Sequence, residues 1–342
     1  MKLKRFFLLI LALVFAACSI SYLFLSNIGG FAYSFSRTVS YNFKVLLAAI
    51  SGLISIPVFE ITVLLSPIFI FLIIKSFAKQ KGNAREKFIS ALLILSFIFS
   101  TYFITLGIPS KNTEGILELE EYRNPSQEQV ISVAKILAHE ISCISFEKSD
   151  PFADFSKEIT QSYIEIYSDA GIDVSKLSNP KTSIIGRVLS NLGIHSYFAF
   201  PTGEVIVNPY LPTYAIPFSL AHEYAHFVGE PSEAKANYVA FLACINSEND
   251  YIAYSGYISA IEYFLTDIAE FSPEMYINIY NLVPDNAKND IEAFREYNKK
   301  YSDSFIYRLF DKLNSLYLDR IDSNGRKSYS LVTKYIVNKY LD

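Results

Sequence analysis

The chain has 342 residues, of which 51% are hydrophobic, and its 30 Lys and Arg stand against 34 Asp and Glu. Its net charge of −4 comes without the clustered positive charge of nucleic-acid-binding proteins, so we expect no nucleic-acid partner. Three scattered cysteines exclude a disulfide framework and a cysteine-based zinc site. Before residue 108 there are ten Lys and Arg and two Asp and Glu; the remaining 20 and 32 give the rest of the chain a charge of −12.

The N-terminal segment is the first predicted membrane span. Residues 6–25 carry no charge and are long enough to cross a hydrocarbon core of about 30 Å. Lys2, Lys4 and Arg5 precede it, which favours a cytoplasmic N-terminus. We interpret the segment as a retained helix. Cleavage is the alternative, because Phe15-Ala16-Ala17-Cys18 weakly resembles a lipoprotein signal-peptide box.

Two further spans are predicted in the next eighty residues. The apolar block 45–74 is too long for one straight span, and we divide it at Pro57 into an interfacial or re-entrant piece and a second span, 57–75. The third span is residues 88–106. The loop between the last two is rich in Lys and Arg, which is typical of a cytoplasmic loop.

Three crossings from a cytoplasmic N-terminus define the domain organisation. Residues 1–108 form a membrane domain in contact with the lipid bilayer, and residues 109–342 form a domain outside the cell membrane. The chain is thus expected to be a multi-pass protein of the cell membrane.

The outer domain is predicted to be mainly α with a small β hairpin. Two β-rich runs around Pro201-Thr202-Gly203 favour a hairpin over residues 195–208. The periodicity of apolar residues predicts helices over the ranges 125–145, 155–170, 182–192, 217–228, 232–244, 254–268, 290–301, 304–318 and 328–340.

The most informative stretch of the outer domain is an H-E-x-x-H sequence. His222 and His226 lie one turn apart on one helix face, so both imidazoles can reach a single metal ion. Glu223 lies beside them, where a carboxylate can take a proton from a metal-activated water. Gly229 and Pro231 end the helix. We predict one Zn²⁺ per chain, bound by His222 and His226 and a third ligand.

The third ligand is best supplied by Glu233, which opens the next helix. A catalytic zinc site usually has three protein ligands, and the other candidates are Glu230, Ser232, His195 and His139. Serine is a poor zinc ligand. His139-Glu140 lacks a second histidine four residues on, where Cys143 stands. Glu230, on the turn, remains the alternative to Glu233.

Three other side chains are assigned supporting roles. Asn237 lies one turn after Glu233 and is expected to hydrogen-bond a ligand histidine and fix its tautomer. A tyrosine often stabilises the oxyanion of peptide hydrolysis. Tyr254 is the first candidate for that donor, and Tyr329 the second.

The sequence resembles a family of bacterial membrane proteins catalogued as domain of unknown function 3810. The likeness rests on Pro180-Lys181, Gly203-Glu204, Asn208, His222 to His226, Glu233, Ala236-Asn237, Phe241 to Cys244, Tyr254 to Tyr257, Ser328-Tyr329 and Ile56 to Glu60. The resemblance implies a zincin-like fold and no established substrate. The chain is also similar to zinc peptidases with a glutamate ligand, although Glu233 follows His226 unusually closely and Lys235 stands where that group has an acidic residue.

The combined hypothesis is a membrane-anchored zinc peptidase that hydrolyses peptide or protein substrates, with Glu223 as general base. Two alternatives remain: a catalytically inactive zincin-like receptor or scaffold, and a sensor that relays an external signal.

Overall fold

A computed structural model describes residues 2–28, 30–79, 84–112, 115–117, 123–146, 155–302, 304, 307–312 and 328–341. The chain divides into two units. The first comprises Met1–Asn112 with Ala199–Glu204, and the second comprises Thr113–Phe198 with Val205–Asp342. The predicted boundary was residue 108.

The first unit is helical. Its α-helices are α1 (Lys2–Ile20), α2 (Phe31–Phe35), α3 (Tyr41–Ser51), α4 (Val58–Lys79) and α5 (Ala84–Tyr102). Helices α1 and α5 pack together through aromatic side chains. Phe15 lies 6.3 Å from Phe99, and Tyr22 stacks on Phe103 at 5.0 Å between ring centroids. The predicted division at Pro57 falls where α4 begins.

Helix α4 carries no charge between residues 61 and 74, and most of its large side chains there are exposed. Those from Val63 to Ile74 that are described as exposed have exposed fractions between 40% and 61%. Pro67 lies inside this helix and cannot donate a hydrogen bond to the carbonyl of Val63. The Ser66 hydroxyl donates to that carbonyl at 2.7 Å, so the acceptor is satisfied within the helix itself.

The start of α4 is capped by a carboxylate from the loop Ala199–Glu204. The fully buried Glu204 accepts the N–H groups of Val58 and Phe59 through its two oxygens, each at 2.8 Å. These are orphan donors of a helix N-terminus, and a negative charge there is also favourable to the helix dipole.

One helix in the described part of the chain, Leu93–Lys111, is long and apolar enough to cross a membrane. Two others, Ile10–Leu25 and Val58–Leu72, are apolar but shorter. The three predicted spans therefore all coincide with helices, of which one meets the length and composition expected of a span.

The second unit is a helical assembly. Its helices are α6 (Gln127–Cys143), α7 (Ser156–Ile166), α8 (Gly186–Leu192), α9 (Ala215–Val228), α10 (Glu233–Ile245), α11 (Asp250–Phe271), α12 (Pro273–Leu282), α13 (Asp285–Ser302) and α14 (Ser328–Leu341). Residues 307–312 are also helical. The predicted helix 304–318 falls partly on these and otherwise lies outside the described residues.

Helix α10 lies at the centre of this unit. Its residues from Ala234 to Phe241 are buried without interruption, because it packs against α7, α9, α11 and α14. A helix that is covered on every side is mostly small and apolar, as α10 is apart from Lys235 and Asn237, whose polar groups bond other parts of the unit. Tyr163 of α7 adds a hydrogen bond from its hydroxyl to the Ala221 carbonyl of α9, at 2.5 Å.

A small sheet accompanies the helices. Its strands are β1 (Lys181–Thr182), β2 (Ser196–Ala199) and β3 (Glu204–Val207), in the order β1-β3-β2. β1 pairs in parallel with β3, Lys181 opposite Ile206. The predicted fold class, mainly α with a small β element, is confirmed. β1 and α12 were not predicted, and the predicted helix 182–192 is shorter, because Thr182 belongs to β1 and the helix begins only at Gly186.

Candidate metal centre

Helix α9 and the turn after it place the H-E-x-x-H side chains. The helix ends at Gly229, whose φ of +131° suits glycine. The N–H groups of Gly229 and Glu230 both donate to the Ala225 carbonyl, at 3.0 and 2.9 Å. Pro231 follows, and α10 starts at Glu233 after the extended Ser232. The break therefore brings the first residue of α10 back beside the end of α9.

The structure brings His222, His226 and Glu233 together. The two Nε2 atoms lie 3.1 Å apart. Glu233 Oε2 lies 3.3 Å from Nε2 of His222, and Oε1 lies 3.4 Å from Nε2 of His226. In the described part of the chain these three residues form the group of potential ligands able to hold a metal ion.

The separation of the two imidazole nitrogens fits a tetrahedral zinc ion, and each nitrogen has one carboxylate oxygen of Glu233 at a similar distance. With zinc–ligand bonds of 2.0–2.1 Å, neighbouring ligand atoms of a tetrahedral site lie about 3.3 Å apart. The side chains are reachable, since the imidazoles are 16% and 19% exposed and the Glu233 carboxylate is 34% exposed. Two histidines and a carboxylate are also a donor set typical of catalytic zinc.

Hydrogen bonds fix both imidazole rings in the orientation that metal binding requires. Nδ1 of His222 lies 2.8 Å from Oδ1 of Asn237, as the sequence predicted for this amide. Nδ1 of His226 lies 2.8 Å from the backbone carbonyl of Glu230. A carbonyl only accepts, so His226 carries a proton on Nδ1 there, and its Nε2 atom is the one that faces the cluster.

The electrostatics of the cluster favour a bound cation. Burial lowers the pKa of His226, but the charge of Glu233 and a hydrogen bond with it raise that pKa to about 9 in the metal-free protein. Burial raises the pKa of Glu233, yet the two histidines hold it well below its usual range. The carboxylate is thus ionised and faces two nitrogens, an arrangement that a proton or a divalent metal satisfies.

Glu223 lies next to the ligands and is nearly buried, with 5% of its surface exposed. Its Oε1 accepts a hydrogen bond of 2.7 Å from the hydroxyl of Ser196 in β2. The same hydroxyl lies 3.3 Å from the Ser219 carbonyl. Strand β2 therefore passes beside the H-E-x-x-H face of α9 and orients the carboxylate.

The other two histidines lie outside the cluster. His195 is bonded through Nε2 to Asn298 at 3.0 Å and packs on Phe294. Burial lowers its pKa, the Asn298 bond opposes this, and the charge of His222 lowers it further. His139 is exposed on α6, with Nε2 3.6 Å from Cys143 Sγ.

The remaining candidates take other roles. The carboxylate of Glu230 is fully buried and accepts hydrogen bonds from Ile116, Leu117 and Tyr167, so it points away from the cluster. Ser232 is the residue before α10. Tyr254 is fully buried, and its hydroxyl donates to Asp290 at 2.7 Å. The proton that was expected to stabilise an oxyanion is therefore used in this hydrogen bond. Tyr329 lies outside the residues whose side chains the structure describes.

Sequence reasoning missed the contacts of two residues near the site, Ser196 and Lys235. Ser196 gave no signal, because its distance to Glu223 depends on how the hairpin packs on α9. Lys235 did give a signal in the sequence, because it occupies a position where similar peptidases have an acidic residue. The structure accounts for it, since Lys235 is buried, faces Glu230 at 3.7 Å and donates to the Leu117 carbonyl.

The fold and the site define a mainly helical protein with a membrane-compatible apolar helix and a His-His-Glu cluster of metal-ligand geometry. Residues 35–337 match a family described as "Protein of unknown function (DUF3810)", and the chain belongs to that family. No curated protein and no solved structure matches the chain.

Proposed function

We propose that this protein is a membrane-anchored, zinc-dependent peptidase with a zincin-like second unit. The observation that carries the proposal is the cluster of His222, His226 and Glu233, with both Nδ1 atoms tied back by acceptors and Glu223 adjacent. Both Nε2 atoms and the Glu233 carboxylate converge on one point, as the ligands of a single metal ion do.

His222, His226 and Glu233 would hold the zinc. When bound, zinc supplies Lewis acidity, which lowers the pKa of water and polarises a substrate carbonyl. Glu223 then accepts the proton from the attacking water and passes it to the leaving amine. Ser196 keeps the Glu223 carboxylate in place through the hydrogen bond to Oε1. Asn237 and the Glu230 carbonyl keep the two imidazoles aligned.

A peptide substrate fits the position of strand β2. In the described sheet β2 is one of the two terminal strands, and its residue Ser196 touches the proposed base. An extended peptide that adds to the edge of β2 by backbone hydrogen bonds would pass beside Glu223. This supports a peptide rather than a small hydrophilic molecule as the substrate.

The membrane part of the proposal is a three-span anchor with a cytoplasmic N-terminus and the zinc site outside the cell membrane. It is supported by the helix Leu93–Lys111 and by the exposed apolar side chains of α4, which suit lipid better than water. The Lys and Arg on both sides of residues 80–83 supply the charge bias. A reporter that is active only outside the membrane, fused after Asp342, should be active; a silent reporter contradicts the orientation.

The test of the activity uses the full chain purified in detergent micelles. Metal analysis should find one zinc per chain, and peptide hydrolysis should stop when a chelator removes it. Glu223→Gln should keep the zinc and lose hydrolysis, whereas Glu165→Gln, an exposed carboxylate on α7, should change neither. Zinc without hydrolysis in the unmutated protein would favour a receptor or scaffold. Absence of stoichiometric metal would refute the proposal.

A further inference from the structure

The carboxylate of Glu230 is buried completely and binds a separate segment of the chain. Its Oε1 accepts the N–H groups of Ile116 at 3.0 Å and Leu117 at 2.8 Å, and the hydroxyl of Tyr167 at 2.8 Å. Lys235 lies 3.7 Å from Oε2 and donates to the Leu117 carbonyl. A single carboxylate and a single ammonium therefore hold the short segment Gly115–Leu117 by three backbone groups.

The contact leaves no room for a side chain at Gly115. Its φ is +73°, a conformation that favours glycine, and a Cβ built there would lie 1.8 Å from Glu230 Oε2. The segment thus lies directly on the carboxylate. Such closeness is expected when the backbone itself is the bound group.

The buried pair of Glu230 and Lys235 is unfavourable to form, so its presence needs an explanation other than stability. Taking two charges out of water is unfavourable, and the attraction between them often does no more than offset that loss of hydration. Hydrophobic residues of the same size would stabilise the core at least as well. The carboxylate and the ammonium therefore serve to fix a geometry.

Glu230 and Lys235 fix the orientation of His226, a proposed zinc ligand. The backbone carbonyl of the same Glu230 accepts the Nδ1–H of His226 at 2.8 Å. The hydrogen bonds of the Glu230 side chain help to hold the turn after α9 in place, and the carbonyl in that turn orients the His226 ring. We propose that Glu230, with Lys235 as its counter-ion, is a positioning residue for His226, and that the metal site depends on Gly115–Leu117 being bound to it.

This inference rests on the proposed zinc site, but it is tested first in the metal-free state. The chain has four histidines, so a ¹H–¹⁵N spectrum of ¹⁵N-histidine protein in micelles is simple to read. The hydrogen-bonded Nδ1–H of His226 should give a downfield, slowly exchanging signal, assigned by its loss in His226→Gln. Glu230→Ala and Gly115→Ala should both abolish this signal.

Zinc affinity, measured by competition with a chelator, provides the second readout. Loss of an outer partner of a ligand typically weakens metal binding 10- to 100-fold, so Glu230→Ala and Gly115→Ala should each weaken zinc binding by about tenfold or more. The Co²⁺ spectrum should shift in both. The double variant Glu230→Gln/Lys235→Met keeps the accepting Oε1 and removes both charges, and it should stay within about threefold of the unmutated protein.

Tyr297→Phe is the control, because it removes a partly buried hydrogen bond, to Ser190, outside the cluster. It should lower the Tm and leave the His226 signal, the Co²⁺ spectrum and the zinc affinity unchanged. An unaltered His226 signal and zinc affinity in Gly115→Ala, which acts without changing Glu230, would overturn the inference even if Glu230→Ala failed to fold. A normal His226 signal in an unmutated protein that binds no zinc would instead refute the proposed function alone.

Discussion

Glu262 of α11 should make the stability of the second unit depend on pH. It pairs with Arg295 of α13 at 3.3 Å, and its side chain is 23% exposed. Burial raises the pKa of Glu262, and the charge of Arg295 lowers it while that of Glu292 raises it. The resulting pKa is about 7, against an ordinary value of 4.5. That difference corresponds to about 3 kcal/mol of unfolding free energy.

The sign follows from the direction of the shift. Because the folded pKa is raised above the unfolded value, the contribution is complete below pH 4.5 and is lost as the pH rises through 7. Glu262→Gln cannot titrate. The difference in unfolding free energy between the two proteins should therefore change by about 3 kcal/mol between about pH 4 and about pH 8, in favour of the variant at high pH.

Near-UV circular dichroism of tyrosine is a suitable assay, since the chain has 25 tyrosines and no tryptophan. Thermal unfolding is followed at several pH values for the unmutated protein and for Glu262→Gln, with zinc held constant by buffer. Glu165→Gln on α7 is the exposed control and should give the unmutated pH profile. Parallel profiles for Glu262→Gln and the unmutated protein would refute the reasoning, because every other titrating group is shared.

Three further predictions concern single contacts. Asn237→Leu should weaken zinc binding about 10- to 100-fold, because His222 loses the acceptor of its Nδ1–H; unchanged affinity in a chelator competition would contradict this role. Ser196→Ala should lower kcat for peptide hydrolysis about tenfold with little change in KM, since Glu223 loses its orienting donor; steady-state kinetics that show a KM effect alone would argue for substrate binding instead. Glu204→Ala should lower the unfolding free energy by about 1 kcal/mol or more by uncapping Val58 and Phe59, and denaturation in micelles should show it with zinc affinity unaltered.

The local parts of the candidate site could be predicted from the sequence. The spacing of His222 and His226 follows from 3.6 residues per turn, and Gly229 and Pro231 predict the break that ends α9. The position of Asn237, one helical turn beyond Glu233, follows from the same periodicity. Each of these depends on neighbours within a few residues, where backbone geometry leaves few choices.

The roles of the two nearby glutamates were decided by tertiary contacts. Sequence reasoning left Glu230 open as an alternative to Glu233, because both follow His226 closely. Residues 116, 117 and 167 take up the Glu230 carboxylate, and these lie far away along the chain. Because that carboxylate is bound in the core through Oε1, Glu233, at the start of α10, is the one that faces the histidines.

By itself the sequence determined a mainly helical chain with an apolar N-terminal third and a two-histidine face with a carboxylate beside it. Helical periodicity and hydropathy act over short stretches, so they can be read directly from the residues. Only the tertiary structure decided that Ser196 bonds Glu223, that Tyr254 bonds Asp290 and that Lys235 is buried against Glu230. Those contacts join residues tens of positions apart or depend on what covers a helix, and packing rather than local pattern sets both.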